Sequence, residues 1–117
     1  ERRLTLNLEA PPEDPPRNLT QLKGQHPLSG VTIANLSPAL AEELSLEQSQ
    51  KGVIVLGISR RSPARRFGMR PGDLLVAIND KKIETVADAE IILRVGGSSW
   101  RMSVLRDGRV LTVSIDG

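Results

Sequence analysis

The stretch SPARRFGMRPGDLLVAIND, Ser62–Asp80, carries the densest run of local structural signals in the chain. Ser62 before Pro63 is a helix start, with a hydroxyl to cap the first turn and a proline whose missing N–H is no loss there. Gly68 stops that turn, so the helix is very short. Arg70-Pro71-Gly72-Asp73 places proline and then glycine at the two central positions of a type II turn. Leu74–Ile78 follows as a buried strand, and Asn79-Asp80 makes the next turn. Nothing in the stretch is chemically reactive.

Outward from it, Val53–Ile58 reads as a buried strand entered at Gly52, and Val31–Leu36 as a shorter one. Ser37-Pro38 repeats the helix-start signal, with Leu40, Leu44 and Leu46 toward the interior. Downstream, Ile83 sits in a stub of strand. Thr85 or Glu84 then caps a helix from Val86 to about Arg94, closed by Gly96-Gly97. Trp100, Met102 and Val104 alternate inward, Asp107-Gly108 supplies a two-residue hairpin turn, and Leu111, Val113 and Ile115 alternate back. About five strands and three helices in mixed order predict a small α+β domain around a partly closed antiparallel barrel.

Three zones divide the 117 residues. Residues 1–9 alternate as a half-buried strand, with Leu4, Leu6 and Leu8 on one face. Residues 10–27 hold Pro11, Pro12, Pro15, Pro16 and Pro27 and read as an extended linker. Residues 28–117 hold the compact domain. ERRLTLNLEA at 1–10 aligns without gaps to GRVLTVSIDG at 108–117, with Arg2/Arg109, Leu4/Leu111 and Thr5/Thr112 identical. Either two alternating strands look alike, or residues 1–9 are the last strand of a preceding copy of the same module. The chain opens on Glu1 with no signal peptide after it, which reads as an excised fragment.

Composition excludes several chemistries. With 16 basic against 14 acidic residues, and Phe67 and Trp100 the only Phe, Trp or Tyr, neither a nucleic-acid electrostatic footprint nor a base-stacking platform is present. The absence of cysteine removes disulfides and thiolate sites. No apolar run approaches the ~20 residues of a membrane span. A serine nucleophile needs a held base, yet the single histidine, His26, lies beside Pro27 in the linker. None of Lys23, Lys51, Lys81 and Lys82 has the apolar surround that would depress an amine's pKa. No metal-ligand cluster, phosphate loop or dinucleotide fingerprint appears. The expectation is a non-enzymatic domain with no catalytic residue, no metal and no cofactor.

The ordered pattern Ser-Pro-Ala, Gly-Met, Pro-Gly-Asp-Leu-Leu and Ile-Asn, followed by a helix after Ile83, resembles the core of bacterial PDZ domains over residues 28–116. GVTIANLSPALAEEL (Gly30–Leu44), preceded by His26-Pro27-Leu28-Ser29, is similar to the start of the second, C-terminal PDZ domain of periplasmic HtrA/DegP-type serine proteases. The resemblance implies a PDZ-like, partly open antiparallel barrel of five to six strands with two to three helices, in the circularly permuted bacterial arrangement. It implies a periplasmic location and a peptide-binding or regulatory module without the catalytic domain. The partners it implies are peptide or unfolded-protein segments and the protease or PDZ domains of the same or neighbouring subunits.

PDZ domains take an extended peptide as an added strand on a sheet edge beside a helix. Here that edge would be Val31–Leu36 and the helix Val86–Arg94, with Leu28-Ser29-Gly30-Val31 matching the carboxylate-binding loop. Its amides would converge on a terminal carboxylate, with Gly30 allowing close backbone approach. The implied peptide-binding residues are Leu28, Ser29, Gly30, Val31, Thr32 and Ile33 on the strand side, with Ala89, Ile92 and Leu93 on the helix. Periodicity leaves open which helix positions face the groove rather than the core. Family members usually carry a large apolar residue where Ser29 stands, so the first pocket here is expected to be shallower or more polar. Arg60, Arg61, Arg65, Arg66 and Arg70 form a basic run that is either a solvated face or a dock for an acidic neighbour. The alternatives in function are an assembly module with little peptide binding and a PDZ domain from another periplasmic protease.

Overall fold

The computed structural model describes residues 13–47 and 50–116. The expected strand at residues 1–9, and with it the echo of residues 108–117, lies outside the described residues. Among the described residues, seven antiparallel strands form a single open sheet: β1 (Thr20–Gln21), β2 (Val31–Leu36), β3 (Gly52–Ile58), β4 (Leu74–Ile78), β5 (Lys81–Lys82), β6 (Ser99–Arg106) and β7 (Arg109–Asp116). Their order is β1-β2-β3-β4-β6-β7, and β5 pairs with β4 off that path. Helix α1 spans Pro38–Glu43 and helix α2 spans Val86–Val95, while Pro63–Arg65 is a single 3-10 turn. The fold is the expected PDZ-like α+β domain, with two α-helices and a sheet that does not close.

Local chemistry places most of these elements. Ser37 caps α1 by accepting from the Leu40 amide at 3.1 Å, and Ser62 caps the 3-10 turn by accepting from Ala64 at 3.1 Å. Thr85 and Asp88 form a reciprocal capping box at the start of α2. Asn79-Asp80 and Asp107-Gly108 both take positive φ at their two positions, as tight hairpin turns between right-twisted strands require. Gly72 has φ +98, the conformation a type II turn demands after Pro71.

The turn is locked from the side. Asp73 is buried, and its carboxylate accepts two bonds of 2.7 Å from the Arg106 guanidinium and one of 2.9 Å from the Arg70 amide. Arg106 also reaches the Gly68 carbonyl at 2.8 Å. One fork therefore ties the glycine stop, the turn and the end of β6 together. Held by Asp73, the Arg106 guanidinium has its pKa raised further above its ordinary value.

The main core lies on one side of the sheet, under α2, and includes Leu28, Val31, Ile33, Val55, Ile78 and Trp100. A smaller cluster of Ala34, Leu36, Leu40, Ala41, Ile54 and Leu74 lies under α1 on the other. Two apolar positions expected inside are not. Leu44, the residue closing α1, is exposed, and so is Leu111 on β7. Both stand on the apolar side of their periodic pattern, but Leu44 is the cap just past the end of α1 and β7 lies at the end of the sheet order, so neither is covered as its neighbours are.

The stretch read as linker also differs from a bare tether. Thr20 and Gln21 pair with Ile33 and Thr32, and Leu22 is buried, so chain as early as Arg17 lies along β2. An extended segment needs a partner for its amides, and the outer edge of β2 supplies one.

Candidate functional site

The site expected on the β2 edge can be built from its loop. Pro27–Gly30 forms the turn that enters β2. Gly30 has φ +90, and a Cβ there would stand 3.1 Å from the Ser59 Cβ and 3.2 Å from the Ser62 Cβ. The close approach that requires glycine is thus to the Ser59–Ser62 loop, not to a ligand. The Gly30 carbonyl accepts from the Ser59 amide at 2.9 Å, which pins the loop to the end of β3.

The loop amides do not converge on one point in this structure. The Ser29 amide donates to the His26 carbonyl at 3.2 Å, and the Val31 amide donates to the Leu28 carbonyl at 3.0 Å. The Gly30 amide points outward and donates to the Leu22 carbonyl at 2.7 Å. Leu22 in turn donates its own amide to the Val31 carbonyl at 2.8 Å. Further along, the Asn35 amide donates to the Arg17 carbonyl at 2.7 Å. The chain from Arg17 to Leu22 therefore runs antiparallel to β2, on the edge away from β3, with Leu22 at the loop end.

The expected side chains fall into two groups. Leu28, Val31, Ile33, Ala89 and Leu93 are buried in one cluster, and Leu22 belongs to the same cluster at 4% exposure. Ile92 is half-buried against it. Ser29, Gly30 and Thr32 are half-buried and lie on the loop and edge. Strand and helix positions thus meet in one apolar floor, and Leu22 joins it from the segment alongside. A cleft of about 610 Å³ opens between Gln21–His26 and the C-terminal half of α2, bounded by Glu90, Leu93, Arg94 and Gly96-Gly97.

Polar clasps hold the segment at its other end. The Asn35 amide group, buried in the wall, donates from Nδ2 to the Pro16 carbonyl at 3.0 Å and accepts at Oδ1 from the Val86 amide at 2.8 Å. Arg17 bonds both Glu13 and Glu43, the latter also through Nη1 at 3.2 Å. That guanidinium holds the Glu43 carboxyl below its ordinary pKa. His26 stacks edge-on to Trp100 with centroids 6.3 Å apart and faces the Lys23 carbonyl through Nε2 at 3.0 Å, while its buried Nδ1 has no hydrogen-bond partner. Burial, opposed by that carbonyl, lowers its pKa.

Leu22, Asn35, Pro16 and Arg17 were not among the expected site residues. The available signal was Leu19-x-x-Leu22, two leucines inside an otherwise proline-rich and polar stretch. The arginine run is exposed at Arg60, Arg61, Arg65, Arg66 and Arg70, but Arg65 is occupied locally, donating to the Ile58 and Ser59 carbonyls at 2.8 and 3.0 Å. Among the described residues no group of three His, Cys, Asp or Glu could hold a metal ion, and no helix is long and apolar enough to cross a membrane.

Residues 54–106 match the family described as PDZ domain. The chain is 26% identical over 101 residues to a probable periplasmic serine endoprotease DegP-like of Chlamydia muridarum, covering 82% of this chain and 20% of that protein. It is 34% identical over 91 residues to the mitochondrial serine protease HTRA2 of Bos taurus, covering 74% and 20%. The chain thus spans about a fifth of the length of these curated relatives. Among solved structures it is similar to the HtrA-type protease AlgW with decapeptide, at TM-score 0.66 and 29% identity, covering 74% of this chain and 27% of that one. The HtrA3 PDZ domain bound to a phage-derived ligand (FGRWV) shares the fold, at TM-score 0.60 and 24% identity, covering 74% and 80%.

Proposed function

We propose that this PDZ domain, related to those of HtrA-type serine proteases, is a non-catalytic module that recognises extended or C-terminal apolar peptide segments by adding them as a strand to β2. The supporting observation is the bond from the Gly30 amide to the Leu22 carbonyl, with the Leu22 side chain buried in the same core cluster as Val31, Ile33, Ala89 and Leu93. An extended chain with one apolar anchor fits the edge of β2 beside α2, the geometry of β-augmentation. A similar HtrA-type protease has been solved with a decapeptide, which favours the same reading. The groove residues are Leu28, Ser29, Gly30, Val31, Thr32 and Ile33, facing Ala89, Ile92 and Leu93. The whole protein is then a periplasmic serine endopeptidase of the HtrA type, with residues 28–117 as its second PDZ domain and residues 1–9 as the end of a preceding one.

A second reading has its own support. The β2 edge is already paired, and the amides of Ser29 and Val31 are engaged within the loop. A domain so occupied suits docking between subunits or onto a protease domain, with little peptide binding. Titration separates the two. A Val-ending peptide run beside its amidated form should bind at micromolar Kd or weaker, about −8 kcal/mol or less in magnitude, and the free-acid form should bind more tightly. Equal binding of both forms removes terminal carboxylate recognition, and no binding of either favours docking.

A further inference from the structure

The occupant of the β2 edge has the polarity, register and anchor of a ligand. Arg17–Leu22 runs antiparallel to β2. Its last residue meets the loop, giving its carbonyl to Gly30 and its amide to Val31. One of its two leucines is buried at 4% exposure while the other, Leu19, is 64% exposed, so a single side chain anchors it. Thr20 stands opposite Ile33, two positions before the anchor.

The segment is fastened at its two ends, and its strand pairing between them is short. Its pairing on β2 is a two-residue strand at the end of the sheet order. Glu13–Pro16 before it and Lys23–Gln25 after it are exposed. The cleft beside α2 leaves open space next to it. A short terminal strand with exposed flanks belongs to the low-stability end of a fold, where local opening is easiest.

We propose that Arg17–Leu22 is a resident ligand of the groove, and that a free peptide binds by displacing it. This rests on the peptide-recognition reading above, and it makes the segment's own sequence the competitor that an incoming peptide must outbind at the β2 edge. The segment lowers the apparent affinity by the fraction of molecules in which the edge is open.

The probe is the hexapeptide Arg-Asn-Leu-Thr-Gln-Leu with a free carboxylate, titrated by calorimetry or NMR. Against Leu22→Ser it is expected to bind about tenfold or more tightly than against the unmodified chain. Because the chain has no cysteine, a Gln21→Cys/Thr32→Cys pair gives one disulfide across directly opposed residues. Its oxidised form is expected to lose binding and its reduced form to regain it. Equal affinity for the unmodified chain and Leu22→Ser, or binding to the oxidised form as to the reduced, overturns the resident ligand while leaving peptide recognition standing. No binding to any folded form overturns both. If Leu22→Ser does not fold, Asn35→Asp carries the same comparison, since it removes the donor to the Pro16 carbonyl and keeps the acceptor for Val86.

Discussion

The Asn35 side-chain oxygen accepts from the Val86 amide at 2.8 Å, joining the edge strand to the first residue of the helix across the groove, 51 positions away in sequence. The same side chain holds the Pro16 carbonyl, so one buried amide sets the spacing of strand and helix and ties down the segment between them. Asn35→Ala leaves the Val86 amide without its partner and should cost about 1–3 kcal/mol of stability in denaturant unfolding. Asn35→Asp keeps an acceptor at the positive end of α2 but sets a carboxylate against the Pro16 carbonyl. Hydrogen exchange should show α2 protected as before and the Leu22 amide exchanging faster. Equal protection at Leu22 would mean that Pro16 does not hold the segment.

Leu22 and Leu19 offer a contrast within one segment. Leu22→Ala removes a side chain that is 4% exposed and should cost about 2–3 kcal/mol, at the low end for buried leucines because the site can collapse. Leu19→Ala, at 64% exposure, should stay within about 0.5 kcal/mol. Chemical denaturation of the two variants checks the difference.

Gly30→Ala forces a Cβ onto a backbone at φ +90 and against the Ser59 and Ser62 side chains. A loss of about 1–3 kcal/mol is expected. Gly57→Ala meets no atom within 4 Å at a strand position and should cost far less. A thermal melt of each variant is sufficient.

The fork joins a buried Asp73 to a half-buried Arg106, so its two ends should respond differently. Arg106→Ala, which leaves the buried Asp73 carboxylate with only the Arg70 amide, should cost about 3 kcal/mol, and Asp73→Ala, which leaves a partly exposed guanidinium, should cost less. The double variant should cost less than the sum of the two, and a double-mutant cycle measures the coupling.

His26 should make stability sensitive to acid. Its folded pKa lies below the ordinary imidazole value because burial disfavours the charged ring. The unfolded chain therefore binds the proton more readily. Stability is full above the unfolded value of about 6.5 and falls as pH drops through the folded one. Melting temperature from pH 7.5 to 5 should decline in the unmodified chain and decline less in His26→Phe, which keeps an aromatic ring against Trp100.

Where structure follows from adjacent residues, the sequence was readable. Val31–Leu36 and Leu74–Ile78 occupy their expected spans, and Ser37, Ser62 and Thr85 cap as their type and position require. Leu44 and Leu111 were less readable, because periodicity names a face without naming what covers it. The segment from Arg17 to Leu22 was hardest of all. Its prolines and polar residues describe a chain that is neither helix nor central strand, which is true of a tether and of a bound peptide alike. Only the long-range pairing with β2 separates the two, and no local pattern encodes it. Of the nine positions the resemblance implies, Leu28, Val31, Ile33, Ala89 and Leu93 share one apolar cluster, yet the three amides of the loop have carbonyl partners from their own chain.

The exposed link Lys23–Gln25 joins the segment to the turn and strand it covers. A partner on so short a leash is present at an effective concentration on the order of millimolar, whatever its intrinsic affinity. Dilution does not remove it, and protein abundance does not change it. On the displacement proposed above, a competing chain must be plentiful, multivalent or better matched before it gains the edge. The domain would then respond to a surge of exposed apolar segments and stay silent toward the occasional one, with the threshold written into the length of one loop.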